Sequence, residues 1–143
     1  MAGLASVISE IAADLRALTG IRGAPTNPPD QINAFPFIVT YARSGVIEAG
    51  PVGVRRGLHN IVIELHVARR DLARDVAAAM DYADTVPNAL LATLSYNGDR
   101  FNNTVSTFER ITYTFGPMQW GGIDTVGFRW TVENVKIQDQ ITT

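Results

Sequence analysis

Residues 58–68 alternate between two kinds of side chain over eleven positions, and this stretch constrains the fold more than any other. One side carries His59 and four aliphatic residues, and the other carries Asn60, Glu64 and His66 among apolar neighbours. Alternation of this kind predicts a single β-strand. At about 3.3 Å per residue it would span roughly 36 Å, well beyond a typical strand of five or six residues.

Other strands are predicted by the same period of two. Residues 125–133 place Val126, Phe128, Trp130 and Val132 on one side and predict a second long, half-buried strand. Residues 111–115 predict a third. Residues 37–43 are apolar on both sides, which predicts a central strand. Gly/Pro pairs on both sides of Met118 and Trp120 predict a loop, and residues 138–143 predict a frayed polar tail.

Helical periodicity marks three segments. Residues 4–18 repeat apolar side chains at spacings of three and four, which predicts an amphipathic helix that Gly20 ends. Asp71 stands at the N-cap position of a second helix, and Thr85 with Pro87 begins a short third helix. The buried stripe of the second helix is predicted to be Leu72, Val76, Met80 and Ala83.

Two segments between these elements are rich in turn-forming residues. Residues 21–34 contain Pro25, Pro28 and Pro29 and predict an ordered loop, and Asn97-Gly98 predicts a turn. Residues 44–57, which we call the arm, interleave glycines with valine and isoleucine. The arm is too rich in glycine for a core and too apolar for an inert linker, so we predict an extended, mobile hairpin.

Together these elements predict an α+β fold over residues 1–143 as a single domain. Strands and helices are partly segregated along the chain, which favours a mainly antiparallel sheet with two or three helices packed on one face and a long protruding hairpin arm. Asn60, Glu64, Arg129 and Glu133 are expected on the opposite, open face.

The composition excludes several classes of protein. Hydrophobic residues make up 46% and charged residues 18% of the 143 positions, so the chain is not disordered. A net charge of −2 offers no clustered basic face for nucleic acid. The absence of cysteine excludes disulfides and thiolate sites. The sequence contains no apolar run long enough for a membrane span and no pattern typical of a signal peptide.

The chemistry-bearing residues predict no active site. His59 and His66 are seven positions apart and should face opposite sides of one strand, so they cannot share a metal. Glu64 lies on the His66 side and could orient that imidazole, but no nucleophile accompanies the pair. We therefore expect no enzyme, no catalytic residue, no cofactor and no metal. A small-ligand-binding or hydrolytic α+β domain using Glu64 and His66 stays an alternative.

Exposed apolar residues are the strongest functional signal. The arm and the loop around residue 118 either fold back over the open face of the sheet or reach a neighbouring subunit, where aromatic and methionine side chains are enriched. We expect the subunit interface to contain the following residues: Val46, Ile47, Val52, Val54, Arg55, Arg56, Met118 and Trp120. An arm that complements the next copy closes a ring if the rotation between copies allows it.

The order of these elements resembles the tail terminator, or tail completion, proteins of long-tailed bacteriophages, the family of the lambda-type minor tail protein. The resemblance covers most of the chain by layout rather than by one sharp motif. It rests on the opening helix, Pro28-Pro29 before Phe35-Pro36-Phe37, the arm, Ile63-Glu64-Leu65-His66-Val67 leading into Arg70-Asp71-Leu72, and Gly127-Phe128-Arg129-Trp130-Thr131-Val132.

The resemblance implies a structural virion protein of the tail or neck, assembled in the host cytoplasm. Its subunits would form a ring, expected to be a hexamer, that caps the tail tube, stops its polymerisation and joins tail to head. Implied partners are the protein itself, the tail tube protein and head–tail connector proteins, with genomic DNA passing through without specific binding and no membrane involved. A head-side neck or connector adaptor is the alternative implied by related proteins.

Overall fold

The computed structural model describes residues 3–96 and 105–140. Its helices are α1 (Leu4–Arg16), α2 (Leu72–Met80) and α3 (Thr85–Leu91), the last followed by a π-helical turn (Ala92–Tyr96). Its strands are β1 (Phe37–Ala49), β2 (Val54–Ala68), β3 (Val105–Thr107), β4 (Arg110–Trp120) and β5 (Ile123–Gln140). The turn predicted at Asn97-Gly98 lies outside the described residues.

The five strands form one antiparallel sheet, which confirms the α+β prediction. Its order is β1-β2-β5, and β3 and β4 follow one another along the free edge of β5. The sheet is therefore four strands wide. β2 and β5 are its two central strands and the two longest, and both were predicted from alternation.

All three helices pack on one face of the sheet. Val7, Ile11 and Leu15 of α1 join Ala79 of α2 and Val86 of α3 in one buried cluster with the sheet. The sheet contributes to this cluster the alternating side chains of its central strands: Ile61, Ile63, Leu65, Val67, Val126, Phe128, Trp130 and Val132. This alternation decides which face of the sheet the helices cover. We call the covered face the helix face.

β1 is an edge strand, so the prediction that residues 37–43 form a central strand is wrong. β1 pairs along its length with β2 alone, apart from a single parallel bridge between Phe37 and Gly23. Its two-sided apolar pattern has another cause. Ile38 is buried on the helix face, and Val39 is buried on the opposite face.

The segment around residue 118 is a strand, so the predicted loop is wrong. Met118 and Trp120 belong to β4, which pairs with β5 from Arg110 to Trp120 and turns at Gly121-Gly122. Pro117 has no backbone N–H to donate, and a strand with a partner on one side only tolerates it. The glycine and proline here mark an edge strand and not a break in the sheet.

Two further predictions need correction. In α2 the buried residues are Asp75 and Ala79, whereas Leu72 and Met80 are exposed, so the predicted stripe is partly wrong. Residues 138–140 continue β5 beside the arm and are not a frayed tail. In both cases the outcome depends on which neighbouring strand or helix lies alongside.

The segment around Pro29 and Asp30 reaches the face of the sheet opposite the helices. The Trp120 indole Nε1 donates to the Pro29 carbonyl oxygen at 2.8 Å, which ties this segment to the far edge of the sheet. A Cβ added to Gly121 would overlap the Asp30 carbonyl oxygen, so the two segments touch closely there. Ile32 is fully buried. The face predicted to be open is thus partly covered.

Candidate functional site

The arm is a continuation of the main sheet. β1 and β2 stay paired from Ser44 to Ala49, and the last six residues of β5 pair with β2 beside them. Pro51 and Val54 close the turn by a hydrogen bond from the Val54 N–H to the Pro51 carbonyl oxygen at 2.9 Å, and Gly53 has a φ of 80°, which favours glycine. The predicted extended hairpin is confirmed, but the mobility predicted for it is not supported by this pairing. Pairing on three strands holds it in one direction relative to the core.

Two glycines of the arm make room for one histidine. The imidazole of His59 lies beside Gly57, where an added Cβ would overlap its Nε2 atom. A Cβ on Gly45 would lie 2.9 Å from Nδ1 of the same ring. Burial, and then the positive charge of Arg55, lower the pKa of His59, which favours the neutral ring. His59 therefore packs at the base of the arm, beside Leu4 and Ile137.

The arm exposes apolar side chains on both of its faces and at its turn. Val46 is 57% exposed, Ile47 is 63% exposed, and Val52 at the turn is fully exposed. Since consecutive strand residues point to opposite faces, Val46 and Ile47 make the arm apolar on both sides. Val54 is half-buried. The arm is thus a two-sided apolar wedge.

The arm also carries an excess of positive charge. It contains Glu48, Arg55 and Arg56, which is a net charge of +1. Arg56 stands opposite Glu48 in the β1–β2 register, and its Nε atom is buried with no hydrogen-bond acceptor among the described residues.

Met118 and Trp120 lie apart from the arm and pack against the chain's own body. The Trp120 ring lies over the sheet, with its centroid 5.8 Å from that of His66 and 6.4 Å from that of Tyr41. Its indole N–H is already bonded to Pro29. Of the eight residues expected at the interface, six are therefore brought together on the arm and these two are not.

An apolar groove opens on the helix face, between the helices and the edge strand β4. It has a volume of about 650 Å³. Its apolar walls include Met80, Leu91, Phe108, Ile111, Tyr113 and Phe115. Met80, Leu91 and Tyr113 are exposed there, since α2 packs against the central strands β2 and β5 and β4 lies beyond them at the edge of the sheet. Sequence reasoning missed this groove, although it predicted the strand that carries Tyr113.

The rim of the groove has two charged residues, of which one has an ion-pair partner and the other has none among the described residues. Arg110 donates from Nε to Glu133 Oε2 at 2.8 Å, so its charge is compensated within the chain. Asp84 is the N-cap residue of α3, and its side chain makes no capping hydrogen bond. Among the described residues no ion pair reaches the Asp84 carboxylate. The uncompensated charge at the rim is thus negative.

Glu64 and His66 meet in a buried polar cluster on the face opposite the helices. His66 Nε2 lies 3.0 Å from Glu64 Oε1, and His66 Nδ1 lies 2.6 Å from Thr125 Oγ1. The Tyr41 hydroxyl donates to Glu64 Oε2, and Arg129 Nε donates to the same oxygen at 3.3 Å. The His66 ring thus bridges the Glu64 carboxylate and the Thr125 hydroxyl.

The hydrogen bonds of this cluster control its ionisation. Burial acts to raise the pKa of Glu64, but hydrogen bonds from His66 and Tyr41 and the charge of Arg129 outweigh it, so the pKa is lowered. Burial, and then the hydrogen bond to Glu64, raise the pKa of Tyr41 to about 12. Glu64 is thus held as a carboxylate and Tyr41 as a phenol.

The cluster is buried and stabilises the sheet. Glu64 is 2% exposed and His66 is fully buried, and the Trp120 ring lies against the ring of His66. Glu64 does contact the His66 imidazole, as the alternative interpretation requires, whereas the expectation that Glu64 lies on an open face is wrong. Sequence reasoning missed Tyr41 and Thr125, because their contacts join residues distant in sequence.

Residues 3–96 and 105–140 contain no group of three or more His, Cys, Asp or Glu side chains placed to hold a metal ion. His59 and His66 point to opposite faces of β2, as their spacing predicts. Among the helices described, none is long and apolar enough to cross a bilayer.

Comparison with protein-family models finds no match to this chain, and a search of curated proteins finds none either.

Proposed function

We propose that this chain is a structural subunit that assembles with copies of itself into a ring, expected to be a hexamer, at the end of a bacteriophage tail tube. The observation that carries the proposal is the arm. It exposes Val46, Ile47 and Val52 on a three-stranded extension of the sheet, away from the chain's own core. Three large apolar side chains exposed on one projecting element support a protein–protein interaction site there.

The step from assembly to a tail terminator rests on the resemblance in layout. The element order α1, proline-rich segment, β1, arm, β2, α2 is the order on which that resemblance depends. In the proposed mechanism one face of the ring binds the last ring of the tube. The other face offers no template for a further tube subunit and binds the head connector instead, while DNA passes through the centre.

The buried cluster favours this structural role over a site that acts on a small molecule. A substrate would have to displace Trp120 and compete with Tyr41, Thr125 and Arg129 for atoms of Glu64 and His66 that already have partners. No described feature offers these two residues to solvent.

Native mass spectrometry at tens of micromolar tests the assembly step. Wild-type protein should form a closed oligomer of one defined size, and the variant Val46→Glu/Ile47→Glu should be monomeric. Ile123→Glu is the matched control, because Ile123 is also an exposed apolar residue but lies at the β4–β5 turn. A wild-type chain that stays monomeric, both alone and with tail tubes, would refute the proposal.

Tail length tests the position of the ring in the virion. In virions that lack this protein, overlong tubes are expected, because nothing would stop polymerisation of the tube. Tubes of normal length accompanied by unattached heads would contradict tube capping and identify a head-side adaptor.

A further inference from the structure

The molecule has two exposed apolar surfaces at different places: the arm, and the groove between α2, α3 and β4. Each is unusual on a monomer, and every copy of the chain carries one of each. A wedge with apolar side chains on both faces fits a groove better than a flat surface, because both faces are then removed from water.

The arm cannot reach the groove of its own chain. Ile47 is level with Gly57 of β2, whereas Tyr113 of the groove is level with Ile63 of β2 through Trp130. Six residues along a strand and three strand spacings across the sheet place the two about 20 Å and about 14 Å apart in those directions. Pairing with β2 and β5 prevents the arm from bending back over that distance.

The charges of the two surfaces favour contact between the arm of one copy and the groove of another. The arm has a net charge of +1. At the rim of the groove Arg110 is occupied by Glu133, which leaves the Asp84 carboxylate as the uncompensated charge. A contact that buries the arm beside Asp84 would bring opposite charges together.

We propose that the arm of one copy inserts Val46, Ile47 and Val52 into the groove of a second copy, with the arginines of the arm facing Asp84. This inference rests on the proposed function, since it names the two surfaces that join neighbouring subunits. The contact is heterologous: each copy gives its arm to one neighbour and receives an arm from the other. Such a contact generates a closed ring or a filament, and not a two-fold dimer.

Two variants that each lose one surface test the inference. The arm variant Val46→Glu/Ile47→Glu keeps its groove, and the groove variant Met80→Glu/Leu91→Glu keeps its arm. All four positions are exposed, so folding should persist and is checked by circular dichroism. Each variant alone should be monomeric in native mass spectrometry. Mixed in equal amounts, they should form 1:1 dimers and nothing larger, because only one productive contact exists in the pair.

The outcomes separate this inference from the proposed function. If wild type forms rings but the groove variant also forms them, then the arm contacts some surface other than the groove and the inference is overturned. The same follows if the mixture gives no dimer although wild type assembles. If wild type itself never assembles, the proposed function fails first. Ile123→Glu, outside both surfaces, should form rings like wild type.

Discussion

At the scale of single residues, the most informative feature is a carboxylate buried in the sheet. Removing a charge from water is costly unless partners replace the water. Glu64 has such partners in His66, Tyr41 and Arg129, and its pKa is lowered despite burial. Once one partner is removed, the remaining charge is left under-compensated, so the cluster should respond strongly to small changes.

Replacement of Tyr41 by phenylalanine removes only a hydroxyl. We expect Tyr41→Phe to lower the free energy of unfolding by about 1–3 kcal/mol, because the buried carboxylate loses a hydrogen bond. Urea denaturation measures this change. Tyr113→Phe is the matched control: its ring is exposed, and loss of its hydroxyl should change stability by less than about 0.5 kcal/mol. Equal losses in both variants would contradict the prediction.

Acid should reveal the role of Glu64. Its pKa is lower in the folded chain than the ordinary 4.5, so its contribution to stability is present above that pH and is lost as the pH falls through the folded value. Glu64→Gln should therefore be less stable than wild type near neutral pH, and this difference in stability should become smaller in acid. Urea midpoints of both proteins over a pH series measure the difference. A difference that stays constant would show that ionisation of Glu64 does not stabilise the fold.

At the scale of elements, long regular strands were the easiest to predict and short or interrupted ones the hardest. The alternation of side chains predicts β2, because successive residues on each face of the strand are of the same kind. β4 was read as a loop around Met118 because Gly116-Pro117 interrupts it, and only pairing with β5 shows that the strand continues. α2 buries Ala79 and exposes Met80 because no element in the described part of the chain covers the Met80 side.

The arm as an element depends on the fit between His59 and its glycines. An alanine at position 57 would place Cβ against His59 Nε2. We expect Gly57→Ala to cost about 1–3 kcal/mol of stability through displacement of the ring. In a His59→Ala background the same substitution should cost much less, since the obstructing ring is gone. A double-mutant cycle by urea denaturation measures the difference. Simple additivity would mean that the ring does not need the space at Gly57.

At the scale of the whole molecule, the proposed assembly predicts that the stability of each chain depends on its neighbours, because the arm and the groove are both exposed. Partners that bind only the folded state stabilise it by mass action. If copies complete one another, a protomer in the ring is more stable than an isolated one, although the isolated protomer has a core of its own.

This view predicts that thermal stability depends on concentration. The apparent Tm of wild type should rise as the protein concentration is raised, whereas that of Val46→Glu/Ile47→Glu should not. Differential scanning fluorimetry across two decades of concentration measures both. A wild-type Tm that does not change with concentration would indicate that the arm has no partner in solution.

The sequence by itself determined the α+β class, the two long alternating strands, the first helix and the hairpin arm, because each depends on a local period or on turn residues. It also placed His59 and His66 on opposite faces of β2. Tertiary structure alone decided that β1 is an edge strand, that Glu64 is buried with Tyr41 and Thr125, and that a groove opens beside β4. These features arise where segments distant in sequence meet, and a local pattern carries no information about which segment lies opposite it.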